Sequence, residues 1–317
     1  ATRSIPAVTS REPLWDQPDL ARQVEEGAWY LPDAPTGGRE TIVTSPIDGA
    51  PQYILQIPGP GWQHVLAAVF TAAFFLLLTV KLVMPALVCG IIAFACVIWW
   101  LWETDPGPTR PPVDVGGGIV LPVYVTGPMN HSWWAMIVLM VVSGMTFGCL
   151  LFSYFFLWLV NPGQWPPAGT NLPIPLWPLV AGALYLAGSG LVAYASGRLR
   201  GEDRRSPRAV AICLGVAVAT ILAASAADVT AQIRAGLSPE AHAYGAAVYA
   251  IASLQGFFVI TAAIMALFTI ARWWAGKLDS VRRSTFDNTM LFWHYTTAQG
   301  LVGLLVTYGF PHALGAG

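Results

Sequence analysis

Charge is scarce in this sequence. Only 10% of the 317 residues are Asp, Glu, Lys or Arg, against roughly a quarter in ordinary soluble domains. The formal net charge is -1 and no block of basic residues stands in a polar stretch, so a nucleic-acid partner has no electrostatic footprint to meet. Cysteine is rare too. Cys89, Cys96, Cys149 and Cys213 all lie inside apolar runs, where a thiol acts as a small hydrophobe with little reason to form a bridge. The opening ATRSIPAVTSREPLWDQPD has no apolar core of the kind a secretory signal needs. A start on Ala is expected of a chain that is processed or cut from something longer.

Ligands for redox chemistry are also few. Of His64, His131, His242, His294 and His312, only His294 sits clearly inside an apolar run. Haem held by two histidines, or copper held by three, needs ligands that face one another within the membrane. Cys89 and Cys96 share one run without a neighbouring His. The expectation is therefore no catalytic residue, no metal and no cofactor in this chain. Of the 17 acidic residues, eight fall in residues 1 to 61, Asp228 falls at the expected outer end of the fifth apolar run, and the other eight fall in loops or helix ends. Ion-coupled carriers keep carboxylates at membrane depth, so an autonomous proton channel or ion carrier is disfavoured. A pore for an uncharged solute stays open.

What the sequence has in abundance is apolar length, with 55% hydrophobic residues. A span needs about 20 residues to cross about 30 Å of hydrocarbon at about 1.5 Å each. Runs of that order occupy residues 62 to 79, 84 to 102, 133 to 160, 174 to 197, 207 to 228, 243 to 274 and 286 to 309. The fold class expected is an all-α integral membrane protein with seven transmembrane helices. Residues 1 to 61, with nine prolines and twelve charges, read as an extended aqueous arm. Residues 62 to 102 read as a two-helix hairpin, 103 to 132 as a cytoplasmic loop, and 133 to 317 as a five-helix bundle.

Basic residues orient this arrangement. Arg3, Arg11, Arg22, Arg39, Arg110, Arg198, Arg200, Arg204, Arg205, Arg208, Arg272, Lys277, Arg282 and Arg283 fall on the amino-terminal side, while Lys81 and Arg234 fall on the other. That is 14 against 2, or 10 against 2 without the four arginines of the arm. The positive-inside rule puts the amino terminus in the cytoplasm and the carboxyl terminus outside.

Two further patterns concern packing and lipid. Ala211, Gly215, Ala219, Ala223 and Ala227 recur every fourth residue and predict a smooth face on which the fifth helix meets its neighbours. Trp99, Trp100 and Trp102 with Glu103 close the second run, and Arg272, Trp273, Trp274 and Lys277 close the sixth. Tryptophans anchor helices at headgroup depth, and a basic pair beside them is also suited to a lipid phosphate.

The run FGCLLFSYFFLWLVNPGQWPP, Phe147 to Pro167, followed by LPIPLWPLV, resembles subunit III of the haem-copper cytochrome c oxidases. Other landmarks of that family follow in order: Trp99 and Trp100, HAYGAAVY at His242 to Tyr249, Arg272, and FWHY at Phe292 to Tyr295. The segments SREPLWDQPDL and GRETIVTSPIDGAPQYILQIPGPGW resemble the stretch after the last helix of subunit I in oxidases whose subunits I and III are fused.

The resemblance implies a hairpin of helices 1 and 2 standing apart from helices 3 to 7, with a lipid-lined cleft for which Trp99, Trp100, Arg272, Lys277 and His294 are the candidate residues. It implies subunits I and II and phospholipids as partners, cytochrome c at the level of the complex, and haem and copper in the partner subunits. It also shows departures. Ser143 stands where many members carry a glutamate, and Gln255, Gly256, Phe257 and Phe258 stand where an HGxH pattern is usual. The function expected is that of a non-catalytic subunit of a bacterial terminal oxidase in the inner membrane, passing electrons from cytochrome c to oxygen and moving protons. A quinol oxidase subunit and an independent solute pore are the alternatives.

Overall fold

Turn residues break the apolar runs into helices close to where their sequence places them. The structure, a computed structural model, describes residues 8, 10–26, 28, 40–57, 61–105, 107, 110–116, 118–200 and 207–314. Arg3, Arg39, Arg204 and Arg205 of the charge pattern lie outside these residues. The chain divides into two compact units, Ala1–Asn130 and His131–Gly317.

The first unit holds two short helices, α1 (Pro13–Asp16) and α2 (Leu20–Glu25), a β-hairpin of β1 (Glu40–Thr44) and β2 (Pro51–Gln56), the helices α3 (Gln63–Thr79) and α4 (Val83–Thr104), and a two-residue pair, β3 (Val113–Asp114) with β4 (Val120–Leu121). Helices α3 and α4 pack on each other across a turn at Val80–Leu82. There Lys81 takes φ 62°, Lys81 N donates to Leu78 O, and Leu82 N donates to Leu77 O. These two bonds satisfy carbonyls that a helix end leaves free.

Within residues 1 to 61, expected as an extended aqueous arm, β1 and β2 fold back on each other antiparallel with Ile42 opposite Ile54. Their apolar faces find a core only with the loop at 113 to 123. Ile54, Val115, Leu121 and Val123 are buried together, Ile54 N donates to Pro122 O at 2.9 Å, and the Arg110 guanidinium pairs with the buried Glu40. Arm and loop, expected as separate segments, thus form one small β module.

The second unit is the five-helix bundle: α5 (His131–Val160), α6 (Leu176–Arg200), α7 (Pro207–Arg234), α8 (Ala243–Trp274) and α9 (Ser284–Leu304). Helix α9 continues through a π-helical turn, Leu305–Gly309, into α10 (Phe310–Ala313). Helix α6 packs on α7, α7 on α8, α8 on α9 and α9 on α6, closing a four-helix ring, while α5 lies against α8 and α9. Its core includes Val192, Leu214, Ile221, Val259, Phe286, Phe292 and Trp293.

All seven expected segments are helical. Among the described residues, five helices, α4 to α8, are long and apolar enough to cross a membrane. Helix α3 is apolar but has 17 residues, and α9 is not among the five.

Two expectations about α7 are corrected. It continues past Asp228 to Arg234, so Asp228 is an interior residue of the helix and is buried at 9% exposure. The face it packs with is not the small-residue stripe: Gly215, Ala219 and Ala223 are exposed and Ala211 and Ala227 only partly covered. The buried positions run along Val210, Leu214, Ala217, Ile221, Ala224, Asp228 and Ala231, with Val218 and Gln232 beside them. A repeat of four overshoots a turn of about 3.6 residues and winds around the helix, whereas alternating steps of four and three average about 3.5 and stay on one side.

Candidate functional site

The sequence candidates fall in both units. In the first, the Trp-rich end of α4 meets the start of α3. Trp99 Nε1 donates to Glu103 Oε1 at 2.6 Å, Gln63 Nε2 donates to Glu103 Oε2, and the rings of His64 and Trp100 lie 5.8 Å apart. The single carboxylate of Glu103 accepts from one donor on each helix and locks this end of the hairpin. Trp99 and Trp100 remain 47% and 43% exposed, presenting broad amphipathic rings of the type that settle at headgroup depth.

In the bundle, α8 ends in a closed cap. Gly276 takes φ 69°, Gly276 N donates to Trp273 O, and Lys277 N donates to Arg272 O, so the left-handed residue sits where only glycine avoids a Cβ penalty. Arg272 is buried at 4% exposure, its guanidinium carbon 6.0 Å from the centre of the Phe268 ring, and Lys277 is half-buried.

The turn that follows is built on Asp279. Its Oδ1 accepts from Val281 N at 2.9 Å and Arg282 N at 2.7 Å, and its Oδ2 accepts from Arg282 Nε at 2.8 Å. Burial pushes the Asp279 carboxyl up, but the backbone and guanidinium donors of Arg282 and the Val281 N–H together outweigh it and hold it below the usual range.

Next to this turn Arg283 pairs with Asp287 one helical turn on and donates to Ser196 Oγ at 3.2 Å, tying the start of α9 to the end of α6. A groove of about 620 Å³ runs between α7 and α8 near Trp273 and Trp274, with apolar walls that include Gly215, Leu267 and Ile270 and with Arg208 on its lining.

His294 lies on α9 facing α6, its Nδ1 2.6 Å from Ser189 Oγ. The other landmarks are packing devices. His242 caps α8, its Nδ1 accepting from Gly245 N at 2.9 Å, which satisfies one of the donors a helix start leaves open. A Cβ on Gly245 would stand 2.2 Å from Ser238 O, so only glycine lets the preceding loop pass there. Tyr154 and Trp165 stack edge to face at 4.9 Å, and Trp165 with Tyr244 at 5.2 Å, making the Phe147 to Pro167 run and the HAYGAAVY run two sides of one aromatic cluster. Ser143 is buried on the face of α5 that also carries Phe147 and Tyr154.

Sequence reasoning missed a polar node inside the bundle. Tyr308 Oη donates to Asp228 Oδ1 at 2.6 Å and Gln255 Nε2 donates to Thr296 O at 3.1 Å; further along α8, apart from this node, the Thr269 and Thr289 hydroxyls meet at 2.9 Å between α8 and α9. The available signal was Asp228 and Gln232 spaced one turn apart in a stretch without Pro or Gly, which is how a helix continues.

No curated protein matches this chain. Residues 125–310 match the family described as cytochrome c oxidase subunit III, a range that takes in α5 to α9 and the π-helical turn. The end of that range fits the geometry, because it closes at Phe310, whose ring lies 5.1 Å from Phe155 at the edge of the aromatic cluster. The chain belongs to the cytochrome c oxidase subunit III family.

Proposed function

We propose that this chain is the supporting subunit III of a bacterial haem-copper terminal oxidase of the inner membrane. In this reading it crosses the membrane seven times with its amino terminus in the cytoplasm, α3 and α9 being the two crossings beyond the five apolar ones. Haem and copper are held by subunits I and II, which pass electrons from cytochrome c to oxygen and move protons. The chain stabilises subunit I, supports proton uptake at the cytoplasmic face and holds phospholipids. The observation that carries the reading is the family match over the whole packed bundle.

The lipid part draws support from chemistry at one end of the bundle. The groove along α7 and α8 is apolar, Arg208 lines it, and Trp274 beside it is 74% exposed. An apolar trough next to a cation and an interfacial indole suits a phospholipid, with acyl chain in the trough and phosphate on the guanidinium.

Purification in mild detergent tests the assignment. The chain is expected to travel with haem-containing subunits, and stripping it is expected to leave the haem spectrum intact while shortening the turnover lifetime. A particle without haem partners, or loss of the haems on stripping, would overturn it.

A further inference from the structure

Four helices of the bundle converge on a small cavity of about 10 Å³ lined by Tyr185 of α6, Asp228 and Gln232 of α7, Gln255 of α8, Gly300 of α9 and Thr307 of the π-helical turn. Its size is on the order of what one water molecule needs. A dry cavity of this kind is normally apolar throughout; this one has apolar walls from Val248, Ile251 and Leu304 but a polar side made by Tyr185, Asp228 and Gln255.

Two of its lining residues carry buried atoms without a hydrogen-bond partner: Tyr185 Oη and Gln255 Oε1. The Tyr185 hydroxyl lies near Gln255 and Ser225 yet meets hydrogen-bond geometry with neither. The amide of Gln255 is fixed by its bond to Thr296 O, so its Oε1 cannot turn away to find relief. Asp228 shares the same space with Tyr308 and Gln232 as its side-chain neighbours, and because a carboxylate offers about four acceptor positions these two leave room for a further donor.

We propose that the bundle binds one ordered water molecule between Tyr185, Asp228 and Gln255. The water accepts from the Tyr185 hydroxyl and donates to Gln255 Oε1 and to the Asp228 carboxyl. Three partners are the usual number for an internal water, and these three stand on α6, α7 and α8. With the bond from Tyr308 to Asp228 and that from Gln255 to Thr296, the water completes a polar node that joins all four helices of the ring. Such a node is a site for water because an unpaired polar group in hydrocarbon surroundings costs more than the ordering of one solvent molecule.

Two measurements on the purified complex decide the matter. A map fine enough to show ordered solvent should contain one peak within hydrogen-bond distance of both Tyr185 Oη and Gln255 Oε1, and an empty cavity there overturns the proposal. The second is Tyr185→Phe, read as the rate at which the subunit is lost on heating. With water bound, the variant removes one of its partners and the loss quickens, about three- to tenfold. Without water, the substitution removes an unpaired buried hydroxyl, the loss slows or stays the same, and the proposal fails.

Discussion

The Tyr308 hydroxyl donates to the Asp228 carboxylate at 2.6 Å, joining residues 80 apart in sequence and both buried. Tyr308 stands in the π-helical turn Leu305–Gly309, where the consecutive residues Thr307 and Tyr308 are both buried; the extra residue that an i→i+5 turn holds widens it and changes which side chains face inward. Tyr308→Phe removes the donor and leaves a buried carboxylate oxygen without its closest partner. The expected cost is about 1–2 kcal/mol, since hydrogen bonds between membrane helices rarely exceed the upper figure. A lowered temperature of subunit loss in the purified complex checks it, and an unchanged temperature would show that Asp228 finds another partner.

Gly245 is held by sterics. Its missing Cβ would meet the carbonyl oxygen of Ser238 at 2.2 Å, and backbone cannot move aside as a flexible side chain can. Gly245→Ala is expected to destabilise the bundle by about 1–3 kcal/mol through overpacking. His242→Ala, which loses the cap on the same turn and a loose ring contact with Tyr244, should cost about 1 kcal/mol. Thermal unfolding of both variants in one detergent gives the comparison, and a milder effect for the glycine substitution would contradict the steric account.

How far the sequence carried the fold can be judged from α7 and the β module. The start of α5, at His131, and the end of α8, at Trp274, lie within a few residues of the apolar runs that predict them, because a membrane helix advertises itself by sheer apolar length. The end of α7 was signalled only by the lack of Pro or Gly before Arg234, and apolar length pointed elsewhere. Asp228 looks like a boundary as a charge, and what makes it an interior residue is a tyrosine 80 positions away. The packed face was not legible, because small residues at every fourth position mimic an interface that geometry assigns to a neighbouring stripe. The hairpin of β1 and β2 was hidden because its core is completed by Val115, Leu121 and Val123 from another stretch. The contacts of the candidate residues were not legible either, because they depend on partners brought in by the fold: His294 bonds Ser189, and Trp99 bonds Glu103.

Lys81 occupies a left-handed conformation at the end of α3, where Gly276 occupies the equivalent position at the end of α8. A side chain with a Cβ is strained there by about 1 kcal/mol or a little more. Lys81→Gly should relieve that strain and raise the stability of the hairpin, less the entropy a glycine adds to the unfolded chain. A net gain of up to about 1 kcal/mol in thermal unfolding is the expected result, and a loss would mean that the lysine ammonium makes a contribution larger than the strain.

The turn at Asp279 should be sensitive to acid. Its folded-state pKa is lowered from an unfolded value near about 3.9. Its contribution is therefore fully present above the unfolded value and is lost as the pH falls through the lowered one. The carboxylate is 45% exposed, so solvent screening keeps the effect small. Hydrogen exchange at Val281 and Arg282, corrected for the intrinsic rate, should show protection that fades only in strong acid, and Asp279→Asn should reduce it already at neutral pH. Equal protection in both proteins would remove Asp279 from the account of the turn.

Arg208 and Arg272 separate two ways in which a cation can serve a lipid. Arg208 is exposed and lines the groove beside Trp273 and Trp274, while Arg272 is buried with its guanidinium near Phe268. If the groove holds an anionic phospholipid, Arg208→Gln should lower its retention roughly fivefold, on the order of the 1 kcal/mol that one basic residue contributes near a lipid surface. Oxygen reduction and subunit retention should stay near normal. Arg272→Ala removes a charge from inside the bundle, so it should loosen the end of α8 as well and release both lipid and, in time, the subunit, again with oxygen reduction initially near normal. Mass spectrometry of the intact complex reads both quantities at once. Unchanged lipid in both variants would take this end of the bundle out of lipid binding, and lipid loss in Arg272→Ala alone would move the phosphate from the groove to the buried arginine.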